Sequence, residues 1–244
     1  MIKAYFEYNG RKSSEFGLRI ENDISFTSPE ADVEFVEVLG KDGELAIDNK
    51  RLKGFDFPVP VRLYAPVGKT VDQVATEISN WLKTDIGWKP FYFSGSPDYE
   101  YVAMCYQSFS ITENLKRNGR AVITFKMKPY KFLNGQGTLT LTNGQTLTNE
   151  GFRASQPLIR VDGTGDITLQ NNGKDWLKLT DVVNYIKVDS EAMSVYREIG
   201  NPMFPKMYST LDPMFPILEV GDNTITWEGT VDKVEIEPRW ESIT

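Results

Sequence analysis

Between Val33 and Tyr64 apolar and polar residues alternate with a period of two, and the alternation is interrupted by residues that cannot continue a ladder. Val33-Glu34-Phe35-Val36-Glu37-Val38 has the pattern of a half-buried strand. Gly40-Lys41-Asp42-Gly43 follows, and its glycines supply the positive-φ positions of a tight hairpin. A second strand leaves through Leu45 and Ile47, and Asp48 to Gly54 reads as a polar excursion. The third run, Phe55, Phe57, Val59, Val61 and Leu63, contains Pro58 and Pro60. Each proline removes a ladder donor, so this strand is expected at a sheet edge or with a break. A protruding hairpin with a ragged edge suits pairing with a second copy of the chain. Gly40, Lys41, Asp42 and Gly43 at its turn, and Asp48, Asn49, Lys50 and Arg51 in its excursion, are the candidate contact residues. Lys50 and Arg51 are expected to meet acidic residues such as Glu34 or Glu37 of a neighbour.

Most of the remaining punctuation is also that of β structure. Ile2–Tyr8 reads as a strand ending in the turn Asn9-Gly10, and Phe16–Ile20 as a short second strand. Trp88–Phe93 and Glu100–Phe109 follow the same pattern, the latter apolar on both faces and so expected to be central. Asn118-Gly119 predicts a hairpin with arms Ser108–Leu115 and Arg120–Lys128. The exception is Thr70–Lys83. Thr70 and Gln73 form a capping box, Asp72 and Lys83 suit the two ends of the helix dipole, and Val71, Val74, Ile78, Trp81 and Leu82 share one face. That stripe predicts a helix docked on a sheet rather than a cofactor pocket.

The composition shifts near residue 134, which places a domain boundary there: 1–133 and 134–244. Residues 134–151 read as a linker carrying one thin strand, Thr138–Thr142. Beyond it come short strands, Leu158–Val161, Ile167–Leu169, Trp176–Leu179 and Tyr185–Val188, with a hairpin at Asn171-Asn172-Gly173. Residues 201–216 read as a surface loop, and Ile217–Val220, Asn223–Trp227 and Val231–Pro238 close the sheet. The expected fold is mainly β: a first β-barrel or β-sandwich-like domain with one packed helix and a protruding hairpin, then a second sandwich.

Histidine is absent from all 244 residues, which removes His-activated nucleophiles and His-containing zinc sites. The single cysteine, Cys105, sits inside a predicted strand and reads as a buried inert thiol rather than a nucleophile. Asp98 and Glu100, close together on a turn, read as surface residues rather than an acid–base pair. Asp162-Gly163-Thr164-Gly165-Asp166 lacks the ligands of a calcium loop and the third glycine of a dinucleotide loop, and reads as a β-turn. No catalytic residue, cofactor or metal is therefore expected. A net charge of −7 disfavours nucleic-acid binding. No apolar run is long enough to insert in a membrane, and Glu7 and Asn9 interrupt any signal-like core, so synthesis in a reducing cytosol is expected.

The strand, G-K-D-G-E-L turn, I-D-N-K-R stretch and third strand of residues 33–64 resemble the N-terminal domain of the distal tail proteins of long-tailed, non-contractile bacteriophages. F-E-Y-N-G-R-K-S-S-E-F-G-L-R-I at Phe6–Ile20 is similar to that family's opening, and A-V-I-T-F-K-M-K-P-Y-K-F-L at Ala121–Leu133 to the strand closing its first domain. The resemblance implies a structural, non-enzymatic virion protein at the distal end of the tail. It implies a ring of six copies built by the first domain, bound to the tail-tube protein above and to the tail-associated tip protein below. It further implies a galectin-like second domain facing outward, where receptor-binding proteins or side fibres attach. An acidic chain then suits a tube through which DNA must slide. The galectin likeness also raises host-glycan binding as an alternative, with Trp227-Glu228 or Trp240-Glu241 as platform and hydroxyl acceptor. The sugar-binding galectins use a histidine and a W-x-x-E-x-R run, and this chain has neither.

Overall fold

The computed structural model describes residues 4–21, 24–114, 117–198, 200–208 and 214–244. Ile2–Lys3 of the first expected strand, Leu115 of an expected hairpin arm and 209–213 of the expected loop lie outside the described residues. The chain divides into two compact units, Met1–Asn134 with Ile243–Thr244, and Gly135–Ser242. The architecture is mainly β, with one α-helix among the described residues.

The first unit holds β1 (Phe6–Tyr8), β2 (Arg11–Lys12), β3 (Leu18–Ile20), β4 (Ala31–Glu37), β5 (Glu44–Leu52), β6 (Phe55–Tyr64), α1 (Val71–Lys83), β7 (Lys89–Phe93), β8 (Tyr99–Met104), β9 (Thr112–Asn114) and β10 (Asn118–Leu133). Its main sheet runs β2-β1-β7-β8-β10-β6-β3, with β9 also paired to β10, and these ladders are antiparallel. Alternate residues of β6, from Phe55 through Leu63, are buried, as the period-two pattern requires. Along β6 the odd positions face β10. The even ones face β3, where Glu21 N–H donates to Pro60 O at 3.1 Å and Tyr64 N–H to Gly17 O at 2.9 Å. The expectation of a sheet edge or a break is corrected: β6 runs unbroken between β10 and β3, and Pro58 and Pro60, both even positions, turn their missing donors to the β3 side, away from the β10 ladder.

α1 forms as its signals direct. The Thr70 hydroxyl accepts from Gln73 N–H and the Gln73 side chain accepts from Thr70 N–H, satisfying two donors that the first turn leaves unpaired. Val71, Val74, Ile78 and Leu82 are buried against the sheet. Burial of each such side chain stabilises by about 1.5–3 kcal/mol. Trp81 stacks on Phe16 with ring centroids 4.6 Å apart and donates its indole N–H to Tyr8 O at 3.1 Å. Phe6, Phe91 and Phe125 meet one another beneath it, with Phe91 and Phe125 centroids 4.9 Å apart. Much of the aromatic content thus fills this core.

The second unit holds β11 (Leu139–Leu141), β12 (Gln145–Asn149), β13 (Leu158–Asn171), β14 (Lys174–Asp189), β15 (Ser194–Tyr196), β16 (Met207–Tyr208) and β17 (Gly221–Glu237). Its order is β11-β17-β13-β14-β15, with β12 also on β17 and β16 on β14. Several sequence expectations need correction here. The four short strands after residue 157 are two long ones, joined at Asn172 and Gly173, both at positive φ. Asp162–Asp166 is not a turn: it lies within β13, whose register shifts at Gly165/Ile167. Residues 139–149 are not a bare linker, because both their strands pair with β17. In the first unit, Asn118 and Gly119 are not the hairpin turn but the first residues of β10, opposite Asn114 and Glu113 of β9.

Candidate assembly surface

Among the described residues β4 and β5 pair only with each other, forming a two-stranded sheet apart from the main one. The turn follows the sequence: Lys41 N–H donates to Val38 O at 3.1 Å, and Gly40 and Gly43 hold φ of 79° and 81°. The polar excursion does not leave the sheet. β5 continues through Asp48 to Leu52, and the register slips from Val33↔Asp48 to Ala31↔Leu52, so extra residues bulge out around Lys50, at φ 57°.

The ribbon is uncovered on both faces. Phe35 and Ala46 stand opposite each other on one face, Val36 and Leu45 on the other, where Ile47 also lies opposite Glu34. Phe35 is 63% exposed, Leu45 47% and Ile47 43%, and Leu39 at the turn is fully exposed. An isolated two-stranded hairpin is marginal in water. Apolar residues on both of its faces therefore mark a surface that needs a cover. The alternation drew attention to the polar residues of the turn and bulge. It passed over Phe35, Leu39, Leu45 and Ile47, whose exposure follows only once no third strand joins them.

The bulge is pinned by ion pairs within the chain. Lys50 Nζ lies 2.8 Å from Asp48, whose other carboxylate oxygen accepts Lys50 N–H at 2.8 Å. Arg51 Nε lies 2.5 Å from Asp32, and Lys53 Nζ lies 2.9 Å from Glu30. The hydrogen bond from Lys50 holds the Asp48 carboxyl below its usual range, and that from Arg51 does the same for Asp32. Lys50 is pushed up by Asp48, and Lys53 by Glu30. Lys50 and Arg51 thus have partners at home, while Asn49, Lys41 and Asp42 are exposed along the ribbon.

The other candidates separate. Cys105 is buried, and burial raises its thiol to about 11. Asp162 is engaged by Arg160 at 2.8 Å and Lys233 at 3.5 Å, and Asp166 accepts the backbone N–H of Asp181 at 2.9 Å. Among the described residues no three His, Cys, Asp or Glu side chains cluster as metal ligands. No described helix is long and apolar enough to cross a membrane. Trp227 lies opposite Leu169 and Glu228 opposite Thr168, so the two point to opposite faces of the sheet. Trp227 shares its face with buried Ile225, and Trp240 and Glu241 are themselves buried. Neither pair converges on one ligand.

The fold is shared with a hub protein of a phage adsorption apparatus. That protein is Dit (gp 19.1) of SPP1, whose crystal structure is described as a paradigm of hub adsorption apparatus in Gram-positive infecting phages. The two share the fold with a TM-score of 0.70 over 96% of this chain and 98% of that one, at 15% identity. In sequence, the SPbeta prophage-derived uncharacterized protein YomH of Bacillus subtilis (strain 168) is 27% identical over 198 residues, 75% of this chain and 74% of that protein. No protein-family model matches the chain.

Proposed function

We propose that this chain is a structural, non-enzymatic component of a bacteriophage tail, a hub at its distal end. The observation that carries this reading is the fold shared with SPP1 Dit over nearly the whole of both chains. Likeness to a prophage-derived protein supports a phage origin. The two-faced apolar ribbon supports assembly. Copies join through the β4–β5 hairpin, with Gly40–Gly43 at its tip and Asp48–Arg51 at its bulge within the contact. The ring so formed, of six copies by family resemblance, is built by the first domain. It joins the tail-tube protein to the tail-associated tip protein. The second, galectin-like domain faces outward and is the place for receptor-binding proteins or side fibres. Direct glycan binding through Trp227 and Glu228 is the weaker reading, given their opposite faces. Native mass spectrometry and negative-stain images of the purified chain test the proposal. A closed oligomer supports it, and a monomer at every concentration, alone and with the tail-tube protein, overturns it.

A further inference from the structure

Arg19 of β3 stands directly opposite Arg62 of β6, and Arg62 directly opposite Arg120 of β10. The three form one cross-strand row on the outer face of the sheet, the side away from buried Val61 and Leu63. Like charges directly opposite one another destabilise a sheet. Relief within the chain is incomplete. Glu21 reaches Arg62 and lies 3.1 Å from Arg120, while Arg19 stacks over the Tyr64 ring at 4.5 Å and has no carboxylate partner among the described residues. The Arg120 side chain remains 64% exposed. Pro60 and Val122, paired on the same face, put an apolar step beside the row.

The hairpin carries the converse arrangement. Glu37 stands directly opposite Glu44, both exposed, and neither has a cation partner among the described residues. Asp42 and the fully exposed Leu39 lie at the same tip. One patch is cationic with an apolar step and the other is anionic with an apolar tip. Among the described residues no ion pair joins them.

We propose that the hairpin tip of one copy, Glu37 and Glu44 with Asp42, docks on the Arg19–Arg62–Arg120 row of a second copy. This rests on the assembly reading above and names the receiving surface. Each like-charge pair removes the other's penalty only in trans. The two patches differ, so the contact is head-to-tail, the type that generates rings when its rotation closes.

Charge reversal in sedimentation velocity tests it. Arg62 is left intact because it is the nearer of the two arginine partners of Glu21, so that one of them remains. Arg19→Glu with Arg120→Glu, or Glu37→Arg with Glu44→Arg, is expected to raise the concentration needed for assembly at least about tenfold. Both sets in one chain, or the two variants mixed, regain assembly. Circular dichroism melts confirm that each variant is folded. If the arginine reversal misfolds, Arg19→Gln with Arg120→Gln is expected to weaken assembly and flatten its dependence on salt. Wild-type assembly with no change in the folded arginine variants overturns this docking and leaves the hub reading standing. A wild-type chain that never assembles overturns both.

Discussion

Replacing Phe35, Leu45 and Ile47 together by threonine separates the ribbon's proposed role in assembly from any role in the monomer. These side chains are 63%, 47% and 43% exposed, so each has a large remaining area to cover. Full burial of a side chain of this size is worth about 1.5–3 kcal/mol, and covering only the exposed fractions is worth about 2–4 kcal/mol per contact between copies. That corresponds to a loss of about 30-fold to 1,000-fold in the association constant. Threonine is β-branched and keeps the strand preference of the positions. The melting temperature of the monomer is therefore expected to stay within a few degrees of wild type, because these residues stand outside the two cores. Sedimentation velocity across a concentration series reads the first quantity, and thermal melting by circular dichroism reads the second. A triple variant that assembles at the wild-type concentration would refute the reasoning. A monomer that melts far lower would also refute it, by showing that the ribbon packs on its own body in solution.

Three further outcomes follow from the same geometry. Ile78→Ala, at the fully buried centre of the helix face, is expected to cost about 2–5 kcal/mol and lower the melting temperature, whereas Thr70→Ala removes only the cap and costs about 1 kcal/mol. Cys105, buried with its thiol raised to about 11, is expected to resist iodoacetamide at pH 8 in the native chain and to react at once in denaturant; rapid native alkylation would contradict the burial. Asp32 and Asp48 have folded values below their ordinary ones, so their ion pairs support the hairpin above the unfolded carboxylate range and fail as pH falls through the lowered values; the protection of the bulge amides, measured by NMR hydrogen exchange against their intrinsic rates at each pH, is expected to fall only in that acid window.

How much was legible depended on what each glycine was for. Gly40 and Gly43 supply positive φ, a local demand, and the hairpin they announce is present. α1 was legible for the same reason: its capping box and its period are written within one short stretch. Gly119 and Gly163 mislead because their demand is tertiary. A Cβ on Gly119 would lie 2.7 Å from Ile111 Cγ2, and one on Gly163 2.3 Å from Thr230 O. These glycines admit a neighbour to close approach within continuous strands, and without the fold they read as turns. The continuity of β13 was hidden in this way. Of the candidate site, the hairpin's turn was visible, but its uncovered faces were not, since exposure depends on the absence of a third strand. The arginine row was invisible because Arg19, Arg62 and Arg120 become neighbours only through the register of three strands distant in the chain.

Apolar exposure and like-charge pairing have different consequences for assembly. Phe35, Leu39, Leu45 and Ile47 can be covered by many surfaces in many orientations, so alone they favour adhesion without a defined geometry. Glu37 opposite Glu44, and Arg19 opposite Arg62 opposite Arg120, penalise every approach that leaves them unmatched. A contact satisfying both must bring one tip to one row in one direction along the strands. Strength then comes from the apolar residues and geometry from the charges. The two classes of substitution should accordingly differ in kind. Threonine on the ribbon weakens association at all salt concentrations. Neutralising the arginine row removes the salt dependence and lets the apolar tip settle in more than one register, so that closed particles give way to heterogeneous ones.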